Sequence, residues 1–312
     1  MKRAHISAIA GLAAVTAILT ANPAVSAPRP THPPTVPPAA TGDPVGVPAS
    51  QKIVGMSAPA RLWSERINEV GSCGVEARRV FATLQSNGKA QSSIIEQAVA
   101  NGMMPVISYK VPSIDTMLSG GYDSWLKATR SYLDRLGVPV TATFWHEPYG
   151  DVDPADFRGA SQLFLDAMKS SNIKVGPILN GWLLDNKVAD FASFTNKSLL
   201  TQWDFVAVDS YQSGTADKPG NRLPARAIPL LATWLDNQGF PDKKIGIGEY
   251  NGFSGAAIKA AGEAILSTPE VWFGLAWNSA AGDSKYAPLT GDRLTEYQNT
   301  KADTRAARDT GC

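Results

Sequence analysis

The sequence predicts one α/β domain, an eight-fold (β/α)8 barrel of the TIM type, preceded by a cleavable leader and a proline-rich segment. Three observations carry that prediction. From Gln51 onward, short β-branched runs alternate with amphipathic segments, the pattern of parallel strands joined by helices. Eight such units fit into about 260 residues, the number and length that close a barrel. The first strand is followed by Gly55-Met-Ser-Ala, whereas an open doubly wound sheet, the main alternative, more often carries a glycine-rich phosphate loop there.

Lys52–Met56 reads as the first strand, and the segment holding Leu62, Trp63, Ile67 and Val70 as the first helix. Arg78–Thr83 is the second strand, with Ser92–Ala100 helical after it. Met103–Tyr109 is the third; Tyr122–Leu136 follows with apolar residues at helical spacing until Gly137 stops it. Val138–Phe144 is the fourth strand, and Pro154–Ser170 its helix, opened by a proline where a missing N–H does no harm. Ile173–Leu179 is the fifth, with a poorly patterned stretch around Phe191 and Phe194 behind it. Phe205–Val208, Lys244–Gly248 and Trp272–Ala276 complete the set, with helices at Ala225–Asn237, Gly255–Leu266 and Asp292–Arg308.

The barrel domain is expected over residues 51–312. Ahead of it, Lys2, Arg3 and His5 form a short basic region, and Ile6–Leu19 is apolar but too short to span a bilayer comfortably. Small residues follow at Ala24-Val-Ser26-Ala27, so residues 1–26 read as a secretory signal peptide, the alternative being an uncleaved membrane anchor. Residues 27–50 are a Pro/Thr-rich linker: Pro28–Pro48 holds eight prolines in 21 residues, a composition that extends and cannot pack. The expected product is extracellular and monomeric, with no membrane association once mature. Of its 312 residues 44% are hydrophobic and 18% charged, and a net charge of +1 gives no reason to expect nucleic acid as a partner.

In such a barrel the chemistry sits where strands end at the C-terminal face. Those positions hold Tyr109 and Lys110 after strand three, and Trp145, His146, Glu147 and Tyr149 after strand four. Asn180 and Trp182 follow strand five, Asp209 and Tyr211 strand six, Glu249, Tyr250 and Asn251 strand seven, and Trp277 and Asn278 strand eight. Two glutamates therefore face each other across one ring of aromatic and amide side chains. Glycosidic cleavage needs that pairing, one carboxyl protonated to donate to the leaving oxygen and one ionised to attack or stabilise the anomeric carbon. Trp145, Tyr149, Trp182, Tyr250 and Trp277 would stack on sugar faces, and His146, Asn180, Asp209 and Asn278 would fix hydroxyls. No cofactor is expected. A metal-dependent hydrolase is disfavoured because, past the leader, only His32 and His146 could serve as histidine ligands.

His146-Glu147-Pro148 at strand four with Gly248-Glu249-Tyr250 at strand seven resembles the clan of retaining glycoside hydrolases built on this barrel, most closely glycoside hydrolase family 26, the β-mannanase family. The resemblance spans residues 51 to 300, though only these short motifs are specific. It implies that Glu147 is the general acid/base and Glu249 the nucleophile, that His146 is the family's histidine before the acid/base, that Tyr211 orients the nucleophile, and that Trp277 lies under the cleaved sugar. The chain departs from the family at Thr143 and Phe144, where an Arg-Pro pair is usual, and at Pro148 and Tyr149, where Met-Asn is usual. The resemblance therefore carries the catalytic pair rather than the sugar. The other class of function compatible with these residues is a non-catalytic, glycan-binding or surface-tethered barrel.

An exported chain with two cysteines, Cys73 and Cys312, invites a disulfide. Cys73 follows the first helix and Cys312 the last, and these are neighbours where a barrel closes, so the two are expected to pair.

Overall fold

Residues 50–85, 88–280 and 286–308 are described by a computed structural model. The predicted signal peptide, all but the last residue of the linker, and Cys312 lie outside the described residues. Nine parallel strands form: β1 (Ile53–Ser57), β2 (Ala77–Thr83), β3 (Met104–Lys110), β4 (Val140–Phe144), β5 (Ile173–Val175), β6 (Ile178–Asn180), β7 (Phe205–Tyr211), β8 (Lys244–Asn251) and β9 (Val271–Trp277). Their order is β5-β4-β3-β2-β1-β9-β8-β7-β6.

β5 and β6 are one predicted strand broken at Gly176-Pro177. Proline has no N–H to give a ladder, yet its carbonyl accepts from the Ala207 N–H at 2.9 Å, while the Gly176 N–H donates to the Ala142 carbonyl at 3.3 Å. A side chain at Gly176 would sit 2.2 Å from the Phe205 carbonyl oxygen, so only glycine permits this approach. β5 pairs with β4 and β6 with β7, so this single pass hands the ladder from one side of the sheet to the other and closes an eight-position barrel.

The helices are α1 (Trp63–Val70), α2 (Ser92–Ala100), α3 (Ile114–Leu118), α4 (Asp123–Asp134), α5 (Pro154–Met168), α6 (Leu183–Asn186), α7 (Val188–Ser193), α8 (Lys197–Gln202), α9 (Ala227–Asn237), α10 (Gly255–Ser267) and α11 (Gly291–Ala302). α5 starts as its sequence predicts, with Pro154 in the first turn and the Asp153 carboxylate accepting from the Ala155 N–H at 2.8 Å. The poorly patterned stretch resolves into α6, α7 and α8, too short to show periodicity but anchored by buried Phe191, Phe194 and Leu199. α11 ends at Ala302, before the predicted Arg308, because Asp303 leaves the helix and its carboxylate accepts from the Arg305 N–H at 2.8 Å. The chain beyond then lies beside β1, with Lys52 N–H donating to the Arg305 carbonyl and Ala307 N–H to the Lys52 carbonyl, each at 2.8 Å.

Most of the core lies between sheet and helices, and a second cluster fills the barrel from within, with Ile53, Ala77, Val106, Ile178, Phe205, Ala207, Phe273 and Leu275. On β1, β2, β3, β6 and β7 these apolar plugs come from the early part of the strand. The later, inward-facing positions of β2, β3, β7 and β8 carry Arg79, Ser108, Asp209 and Glu249 instead. Buried polar groups at the C-terminal ends mark the working face.

Candidate active site

The site begins with an irregularity in β8. Against β7, Val208 pairs with Ile247 but Asp209 with Glu249, so the register skips Gly248. A bulge of this kind turns consecutive residues to the same face. Gly248 faces the interior, where an added Cβ would lie 2.4 Å from Asp209 Oδ1. Glu249 faces inward as well, toward Arg79 and Tyr211. Without the bulge the pleat would send Glu249 into the helix layer; with it, Tyr250 goes there.

Glu249 is 5% exposed and its two oxygens have different partners. The Tyr211 hydroxyl donates to Oε2. Arg79 Nε lies 3.7 Å from Oε1, both side chains being out of solvent. Arg79 is itself fixed, donating from Nη1 to Ser108 Oγ at 2.7 Å, with its guanidinium 4.6 Å from the centre of the Phe81 ring. Burial pushes the Glu249 carboxyl up to about 7, against the pull of Arg79 and Tyr211 toward the ionised form.

Glu147 lies in a tight turn after β4. Trp145 and Glu147 both take left-handed backbone conformations, φ 46° and 51°, which cost about 1–2 kcal/mol each for residues with a Cβ. The turn is held because Trp145 N–H donates to the Tyr109 carbonyl and Glu147 N–H to the Ile178 carbonyl, each at 2.9 Å. Asn180 Nδ2 donates to Glu147 Oε1 at 3.4 Å, and Asn180 Oδ1 accepts from the Tyr149 N–H at 3.0 Å. Burial is the main reason the Glu147 carboxyl is raised, with Arg79 and Lys110 pulling it down. Asn180, Asp209 and Glu249 are register partners across three strands, so this row joins one glutamate to the other.

Asp209 is the third carboxyl of the row. It is 2% exposed and no side-chain donor among the described residues reaches either oxygen. Burial first, then the carboxyls of Glu249 and Glu147, hold its pKa well above the ordinary value. Arg79 and the Glu249 backbone N–H pull Asp209 the other way, while the Tyr211 hydroxyl serves Glu249 instead. Burial, with Arg79 and Lys110 nearby, holds His146 well below its usual pKa and so neutral; its buried Nδ1 has no hydrogen-bond partner among the described residues, and its ring meets that of Phe81 at 5.0 Å.

The other predicted residues divide. Tyr149 and Trp182 meet edge to face at 5.3 Å beside Glu147, with Lys187 Nζ donating to the Tyr149 hydroxyl at 2.6 Å. Trp277, half-buried at the end of β9, meets Phe81 edge-on at 6.3 Å, and its Nε1 has no hydrogen-bond partner among the described residues. The Trp145 indole instead lies under the Lys110 ammonium at 4.9 Å and donates to Asp151 Oδ2 at 3.3 Å. Two assignments need correction. Tyr250 is completely buried in the core behind the barrel, since the bulge that turns Glu249 inward turns Tyr250 out. Asn278 is also completely buried, and its amide is consumed by Met56 Sδ and by the Leu289 N–H at 2.9 Å, so it braces a loop rather than facing a sugar. Tyr109 likewise packs on Phe164 at 6.0 Å in the helix layer.

Sequence reasoning missed Arg79 and Phe81. Both sit inside β2 rather than at its end, and the pair Arg78-Arg79 reads as a polar strand edge. The pleat separates them: Arg78 stacks on Trp63 at 3.9 Å among the helices, while Arg79 enters the barrel. The alternation Arg79, Phe81 on one face was the only available signal.

This is the fold of the eight-fold barrel glycoside hydrolases. Among solved structures, the chain is similar to an endo-β-1,4-mannanase of glycoside hydrolase family 26 from Cellulomonas fimi, with 15% identity, a TM-score of 0.60, and 85% of this chain and 73% of that one covered. It is also similar to the catalytic domain of a mannanase from Streptomyces sp. SirexAA-E, with 12% identity, TM-score 0.54 and coverage of 86% and 95%. A third is an endoglucanase from Thermotoga maritima, with 12% identity, TM-score 0.55 and coverage of 83% and 99%. No family model matches the chain, and no curated protein matches it in sequence.

Proposed function

We propose that the protein is a secreted, retaining β-glycoside hydrolase acting on a polysaccharide, β-mannan or a related β-glycan. Glu147 donates its proton to the leaving glycosidic oxygen while Glu249 attacks the anomeric carbon. Water, deprotonated by Glu147, then releases the sugar from Glu249. One observation carries this reading: the two buried glutamates differ in their hydrogen-bond partners. Glu249 accepts from the Tyr211 hydroxyl and has Arg79 at 3.7 Å, both of which favour a carboxylate, whereas the Glu147 carboxyl accepts from the Asn180 amide and is shifted by burial toward the protonated form. The similar mannanases and endoglucanase support the substrate class. Screening purified protein on mannans, β-glucans and xylans, with the anomeric configuration of the first product read by NMR, tests it. Retention on one of these glycans is expected; inversion, or no cleavage of any of them, would overturn it.

The same reading includes export by the signal peptide, a monomeric barrel on a Pro/Thr-rich tether, and a Cys73–Cys312 disulfide. In support of that bond, the Cys73 carbonyl accepts from Lys301 Nζ at 2.6 Å, which sets Cys73 against the last turn of α11. The bond would close nearly the whole domain into a loop, an entropic stabilisation of about 5 kcal/mol at most. Mass spectrometry of the unreduced secreted protein is expected to find no free thiol; two free thiols would exclude the bond.

A further inference from the structure

Tyr211 donates its hydroxyl to Glu249, and what holds that hydroxyl in place lies outside the catalytic row. The Tyr211 ring stacks on Tyr286, with centroids 4.6 Å apart and planes 22° from parallel. Phe253 stacks on Tyr286 in turn, at 5.0 Å and 17°. The three rings come from three connections: the end of β7, the loop after β8, and the segment before α11. Gln212, next to Tyr211, ties the contributors together. The Tyr286 hydroxyl donates to the Gln212 carbonyl at 2.5 Å, and the Gln212 amide accepts from the Phe253 N–H at 2.8 Å and donates to the Gly220 carbonyl at 3.1 Å. The residues after Tyr286 are held by Arg293 on the Pro288 carbonyl at 2.8 Å and by Asn251 on the Ala287 carbonyl at 3.2 Å. A tyrosine that only filled space would need neither a parallel stack nor an anchored hydroxyl.

We infer that Tyr286 is a positioning residue for the candidate nucleophile: sandwiched between Tyr211 and Phe253, it holds the Tyr211 hydroxyl on Glu249. The inference deepens the glycosidase reading and rests on it for its catalytic consequence. A phenol with one ring face against a fixed neighbour keeps its hydroxyl direction; without that neighbour the ring turns about its side-chain torsions and the bond to Oε2 loosens. The charged and titratable groups around the pair are Arg79 from β2, Glu147 from the turn after β4, Asp209 from β7, and Arg222 beside Tyr286. Since the Tyr211 bond favours the ionised carboxylate, loosening it moves the Glu249 titration upward.

The test compares Tyr286→Ala, which removes the stack, with Tyr286→Phe, which keeps the stack and loses the hydroxyl that bonds Gln212. Folding is checked by circular dichroism, and Tyr286→Leu replaces the alanine variant if that fails to fold. Two readouts are taken: the 13C chemical-shift titration of Glu249 without substrate, assigned with Glu249→Gln, and kcat and KM on the best glycan. In Tyr286→Ala, Glu249 is expected to titrate higher and kcat to fall about 10- to 100-fold with KM little changed, while Tyr286→Phe stays close to the wild type. If no glycan is cleaved by the wild type but Glu249 still titrates higher in Tyr286→Ala, the positioning role stands and the glycosidase reading fails. A Glu249 titration and kcat unmoved in the alanine or leucine variant would overturn the inference.

Discussion

Replacing Arg79 with methionine removes the only cation within reach of the candidate nucleophile among the described residues while keeping most of the buried volume. Arg79 Nε is 3.7 Å from Glu249 Oε1, and neither side chain meets bulk water. At an effective dielectric of about 20, two unit charges at that separation attract by about 4 kcal/mol, an upper figure equivalent to about 3 pH units. Carboxylates that lose an arginine neighbour move upward by about 1–3 pH units. Glu249 already stands near 7, so the variant would hold it largely protonated at neutral pH. We expect kcat/KM at pH 7 to fall about 10- to 100-fold. The sign is fixed by the charge: an arginine favours the ionised form, so its loss moves the acidic limb upward. The ratio of variant to wild-type kcat/KM should therefore rise with pH, as measured from pH 4 to pH 9 on one soluble substrate. An acidic limb at the wild-type position, with a constant ratio, would refute the claim that Arg79 holds the charge of Glu249.

Three other outcomes follow from the same geometry. Glu147→Gln and Glu249→Ala should each cut turnover by orders of magnitude with the fold intact; if acid help is worth about 10²–10⁴-fold, a substrate with a good leaving group should suffer less from the Glu147 change, and wild-type activity in Glu249→Ala would exclude the assignment. Tyr211→Phe should lower kcat more than it raises KM and shift the acidic limb upward, since it removes a donor to the carboxylate; unchanged kcat and pH profile would make Tyr211 structural only. Gly248→Ala would press a methyl to 2.4 Å from Asp209 Oδ1 and 2.8 Å from Ile178 Cγ2, so urea unfolding should show a loss of about 1–3 kcal/mol; an unchanged midpoint would mean that Gly248 does not face the barrel interior.

The barrel was legible because its strands are short apolar runs of the right number, and strand ends are where a barrel exposes chemistry. Glu147, Asn180, Asp209, Tyr211 and Glu249 could be placed by that rule alone. What escaped it depends on side-chain direction. The bulge at Gly248 reverses which of Glu249 and Tyr250 faces inward, and KIGIGEYN has no local signature of it beyond the glycine. Asn278 looks like a substrate amide until Leu289 and Met56 claim its hydrogen bonds. Arg79 is hidden because a charged residue in mid-strand gains meaning only when Glu249, brought from far along the chain, stands opposite it. The break at Gly176-Pro177 was not foreseen: Ile173–Leu179 reads as one strand, and nothing local shows that the ladder changes partners across it.

That break divides the barrel unequally in its chemistry. The strands before residue 176, β1 to β5, form one continuous set, and those after residue 177, β6 to β9, form another. They meet at the interrupted pass and along the β1–β9 ladder. The first half contributes Glu147 and Arg79; the second contributes Glu249, Tyr211 and Asp209. The candidate acid and the candidate nucleophile therefore come from different halves, and so do Glu249 and Arg79. Neither half alone holds both glutamates; their pairing exists only where the two sets of strands are joined.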